Sequence, residues 1–105
     1  MTRTDRDELA ILWAEHRGRT FPDDLKFTDG LDDTVLLDLH IAGAVMNTLR
    51  GDRLPPFTVG ALKEGITLLR RSFRKIPKGP ARPYAARLIQ MSTLALNEHY
   101  RAVRG

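Results

Sequence analysis

A chain of 105 residues, 42% hydrophobic and 29% charged with a net charge of +4, has the size and balance of one globular domain spanning residues 1–105, not of a disordered or fibrous chain. It contains no cysteine, which excludes disulfides, thiolate zinc sites and cysteine nucleophiles and fits an intracellular setting. Charge is unevenly placed. Residues 1–38 carry five basic and ten acidic side chains, and residues 39–105 carry twelve and three. This polarity suits pairing of the two halves, head-to-tail association or electrostatic steering.

The opening stretch MTRTDRDELA is charged from residue 3 and lacks the apolar run of a secretory signal. Asp38, His40 and Asn47 interrupt the longest apolar stretches, which fall short of the roughly 20 residues that cross a membrane. The expectation is a cytoplasmic protein with no membrane segment.

Taken in chain order, the apolar residues recur at helical spacing and never alternate over a strand's length. Thr4, with Asp7 three residues on, predicts a capped helix start, and Leu9, Leu12, Trp13 and His16 form one face of that helix. Residues 19–30 read as a connection with one short turn after Pro22, in which Phe21, Leu25 and Phe27 plug the end of a bundle. A second long segment runs from Asp29 to Arg50, with Asp32 and Asp33 in its first turn. Its main stripe is Leu31, Val35, Leu39, Ala42, Met46 and Leu49, widened by Leu36, Leu37, Ile41 and Val45. A helix apolar around most of its circumference is expected at the centre of the fold.

A third helix is predicted over Phe57–Lys75, with a narrow seam of Val59, Leu62, Ile66, Leu69, Phe73 and Ile76. PKGPARP then breaks the chain, and a fourth helix follows over Pro83–Ala102, with Tyr84, Leu88, Met91 and Ala95 inward. The fold class is all-α: a compact up-and-down bundle of about four helices, three long and one shorter at the N-terminus. Gly43, Gly60 and Gly65 sit inside helices, where glycine is costly, and mark places where another backbone approaches closely or the helix bends.

LLRRSFRKIPKGPAR, residues 68–82, holds six basic side chains and no acidic one. With its neighbours it offers Lys63, Arg70, Arg71, Arg74, Lys75, Lys78, Arg82 and Arg87 as contacts for a partner or for phosphates. Cations at a helix C-terminus are also favoured by the dipole without any ligand, and aromatic residues placed for base stacking are missing. Asp38, His99 and His16 lie on apolar arcs of three helices, a candidate buried polar cluster. These are single residues on separate helices, with no i, i+4 pair of metal ligands, so the expected role is a structural Asp38–His99 or Asp38–Arg contact. No glycine loop for a nucleotide and no Ser–His–Asp context is present.

No catalytic residue, metal or cofactor is assigned. The function expected is that of a small non-enzymatic helical protein working through protein–protein interaction, of regulatory, adaptor or toxin-neutralising type, with an unidentified protein or with itself. The alternative is electrostatic binding of DNA or RNA through the basic 63–87 region.

Overall fold

The computed structural model describes residues 3–31 and 33–104. The chain forms α1 (Asp5–His16), the single turn α2 (Asp23–Lys26), α3 (Thr34–Leu49), α4 (Pro56–Ser72) continued by a 3-10 turn over Phe73–Lys75, and α5 (Ala81–Arg104). No strand occurs among the described residues. The fold class is the all-α bundle expected from the sequence.

Each boundary has a local cause. Thr4 accepts from the Asp7 amide while the Asp7 carboxylate accepts from the Thr4 amide, closing both ends of a capping box at α1. These bonds hold the Asp7 carboxyl below its ordinary value. Gly51, at φ +84°, turns the chain out of α3 in a conformation that L-residues rarely adopt. Pro56 opens α4 at a position where the missing N–H has no helical partner to lose.

Contacts fix the directions. Asp5 at the start of α1 pairs with Arg101 near the end of α5 at 3.1 Å, whereas His16 at the other end of α1 packs on Tyr84 near the start of α5. Arg6 donates to the Leu49 carbonyl at the end of α3, and His16 meets Asp38 in its first half. Leu37 presses on Gly65, where an added methyl carbon would lie 2.5 Å from the leucine. Lys63 stands 5.1 Å over the Tyr100 ring, and Arg82 reaches back to the Arg74 carbonyl. Neighbours in sequence among α1, α3, α4 and α5 therefore run antiparallel, and the bundle is up-and-down.

The core is built from Leu9, Leu25, Leu31, Ile41, Val45, Leu62, Leu69, Ile76, Leu88 and Met91, all essentially shut off from solvent. The seam expected from Val59 to Ile76 faces the core: Leu62, Leu69 and Ile76 are buried, and Val59, Ile66 and Phe73 pack half-buried against the core.

Four expectations are corrected. The central helix is α5, which packs against α1, α2, α3 and α4. α3 buries Thr34, Ile41, Ala44, Val45 and Thr48 but leaves Val35, Leu36, Leu39 and Met46 exposed. The helix starts at Thr34, not Asp29, and the core takes a face about a third of a turn away from the expected stripe; the placing of Asp32 in a first turn lies outside the described residues. Phe27 does not plug the bundle end, because Leu25 fills it and Phe27 projects outward, 77% exposed. Of the three helical glycines, only Gly65 marks a close approach within the chain, since a methyl group at Gly43 or Gly60 would touch nothing within 4 Å.

Candidate functional site

Three features of the surface and its margin are candidates. The first is a polar network where α1, α3 and α5 meet. His16 Nε2–H donates to Asp38 Oδ1 at 3.0 Å, and the Tyr84 hydroxyl donates to Asp38 Oδ2 at 2.8 Å. Arg87 Nε–H donates to His16 Nδ1 at 3.4 Å, which leaves the imidazole hydrogen on Nε2, facing the carboxylate. The Arg87 guanidinium lies 5.5 Å from the Tyr84 ring centroid, and Phe21 meets that ring edge-on at 5.3 Å. Burial, the hydrogen bond to Asp38 and the carboxylate charge push the Tyr84 hydroxyl far above its ordinary value, against the smaller opposite pull of Arg87.

The candidate cluster is thus brought together only in part. Asp38 meets His16, whereas the expected Asp38–His99 or Asp38–Arg contact does not form, the second carboxylate oxygen taking Tyr84 and Arg87 turning to His16. His99 lies apart, with its ring against Tyr100 at 5.4 Å and no partner for its buried Nδ1 among the described residues. Tyr84 and Arg87 take its place. Tyr84 had read as a core residue, and Arg87 as part of the basic surface. Their register on α5, one turn apart, was the available signal.

Chemically, this network is closed on itself. His16 is 4% exposed, both its nitrogens are engaged, and the Tyr84 hydrogen is given to Asp38. No group of three or more histidine, aspartate or glutamate side chains placed to hold a metal occurs among the described residues, and the Arg87 cation occupies the imidazole edge that a metal would need. Beside the network a cleft of about 640 Å³ is lined by Glu15, Arg19, Pro22, Pro83, Tyr84 and Arg87, among others.

The second feature is the basic region, which the structure divides. Arg82 is used by the fold: its Nε–H donates to the Ile76 carbonyl at 2.7 Å and it lies over the Phe73 ring. Arg87 belongs to the network, Lys63 to Tyr100, and Lys75 stands 3.8 Å from Asp29 in an exposed pair. Arg70, Arg71, Arg74 and Lys78 remain exposed and make no ion pair among the described residues.

The third feature was not anticipated as a site. Along the side of α3 turned away from the core, Val35, Leu36, Leu39, Gly43 and Met46 form an uncharged stripe, with Leu36 57% and Leu39 64% exposed. Phe57, 75% exposed, stands beside it, its ring 5.9 Å from that of His40. Between α3 and α4 the stripe runs into a shallow groove of about 270 Å³ lined by Leu36, Leu37, Phe57, Ala61 and Leu68, with Asp33, His40 and Glu64 at its margin. The signal in the sequence was a helix apolar on all sides, read as centrality.

Comparison with protein families, characterised proteins and solved structures returns no match to this chain. No helix among the described residues is long and apolar enough to cross a membrane.

Proposed function

We propose that the protein is a cytoplasmic, non-enzymatic interaction module that docks through the outward side of α3 and Phe57. The observation carrying this reading is that one helix is apolar on two opposite sides, of which the fold uses one. Scattered exposed leucines are ordinary, but a contiguous uncharged apolar surface is what interaction sites offer. The polar network supports the same reading, because its groups are engaged with one another and act as a tie between three helices.

Site-specific photo-crosslinking tests it. A photoreactive residue placed at Leu39 in cells is expected to give a discrete protein adduct, and one placed at Val103, another exposed apolar position, none. Equal or absent labelling at both positions would overturn the reading.

A second reading rests on Arg70, Arg71, Arg74 and Lys78, which make no ion pair among the described residues and stand exposed on α4 and the turn after it. They suit phosphates of DNA or RNA. Anisotropy of labelled oligonucleotides, at low and physiological salt, is expected to show binding weakened by charge reversal at Arg70 and Arg74 if this surface grips phosphate. Binding indifferent to both substitutions would end that reading.

A further inference from the structure

Resting on the docking reading above, we propose that the occupant of the α3 face is a second copy of this chain, with the two α3 helices crossing antiparallel about a two-fold axis beside Leu39 and Gly43. Three observations lead there, and the first is Gly43. Glycine is a poor helix former, and inside the chain nothing explains it, since a methyl group at this position would touch no atom within 4 Å. At Gly65 the glycine receives Leu37 from a neighbouring helix. Gly43 offers an equivalent notch, but it opens outward, in the middle of the apolar stripe.

The second observation is that the stripe is self-complementary. With the axis midway between positions 39 and 43, Leu39 enters the notch at Gly43 of the second copy, and Leu36 faces Met46 of that copy. Both contacts occur twice, as an isologous interface requires. Large side chain against small, repeated by symmetry, is the pattern that lets helices approach closely.

The third observation concerns the ends. Asp33 precedes the first turn of α3 and Arg50 and Arg53 follow its last, all exposed. Arg50 is shared with Asp52 at 3.3 Å, so Arg53 is the cation at that end with no ion pair among the described residues. Antiparallel crossing brings it towards Asp33 of the other copy and opposes the helix dipoles. The stripe itself carries no charge to attract a strongly acidic or basic peptide. At the exposures seen, its side chains with Phe57 offer on the order of 500 Å² per copy, so the pair would bury about 1,000 Å², the lower bound of a specific interface. An interface at that lower bound belongs with weak, transient associations, and the concentration range to search is centred on a Kd on the order of tens of micromolar.

Sedimentation velocity on the full chain, over about two decades of concentration around that Kd, is the test. The wild type is expected to pass from monomer to dimer. Leu39→Glu is expected to stay monomeric throughout, and Gly43→Leu, which fills the notch from a position whose Cβ meets nothing within 4 Å, to weaken association roughly ten-fold or more. Circular dichroism of both variants should match the wild type, because neither position is packed within the chain. A wild type that stays monomeric, or variants that dimerise as it does, would overturn the proposal. These failures are separable from failure of the docking reading: an adduct at Leu39 whose mass is not that of two copies leaves the face as a docking site and removes only the second copy.

Discussion

α5 and α3 are both long helices packed into the same core, and they differ in what they show to water. α5 touches every other helix and turns Ala86, Gln90, Asn97 and Arg101 outward, so its composition follows from its surroundings. α3 is apolar where it meets the core and apolar again where it meets solvent. A sequence shaped only by the stability of this chain has no use for Leu36, Leu39 and Met46 on the outside. The contrast separates what the fold requires from what it leaves for contact with something else.

Substitutions can break or sharpen that contrast. The largest effect is expected on α5: Leu88→Ala, at a fully buried site, should cost about 2–5 kcal/mol by chemical denaturation. A cost under about 1 kcal/mol would mean that the core packs loosely there. Next comes the tie between the helices. Tyr84→Phe removes a hydrogen bond to a carboxylate and should cost roughly 1.5–3 kcal/mol.

The same substitution alters the pH dependence. Below pH 10 the Tyr84 hydroxyl keeps its proton in both states. Above its ordinary value of 10.0 the unfolded chain releases a proton that the folded chain retains, so stability should fall as pH rises past that point. Thermal melts of the wild type should show this alkaline decline, and those of Tyr84→Phe a shallower one; identical slopes would contradict the assignment.

On α3 the effects should be small or reversed. Gly43→Ala should raise the stability of the monomer, measured at high dilution, by up to about 1 kcal/mol, because alanine favours the helix and the methyl meets nothing. Leu39→Ser should change monomer stability by no more than about 0.5 kcal/mol, an order of magnitude less than a buried leucine. A core-sized loss at Leu39 would erase the distinction between the two helices.

Much of the fold was legible in the sequence because the physics is local. Thr4 and Asp7 spell a capping box, PKGPARP stops a helix, and the seam from Val59 to Ile76 has one geometric solution. The choice of core face on α3 was not legible. A periodic pattern names a buried face only when the opposite face is polar, and here Ile41 and Leu39 are equally apolar.

The site was half legible for a related reason. Asp38 and His16 stood out as polar groups on apolar arcs, and they do meet. That Tyr84 and Arg87, rather than His99, complete their network depends on the antiparallel register of α1 against α5, which brings the start of α5 to the end of α1. Arg82 shows the same limit, since only the folded turn places the Ile76 carbonyl within its reach.

The most direct test of the central claim, that the outward face of α3 is a surface of association, is a dilution series followed by methyl NMR. If the account is right, the methyl signals of Val35, Leu36, Leu39 and Met46 move together as the protein is concentrated, while those of the equally accessible Ile11 and Val103 stay in place. Signals from α3 that remain fixed across the series, or that move no more than those of Ile11 and Val103, would contradict it.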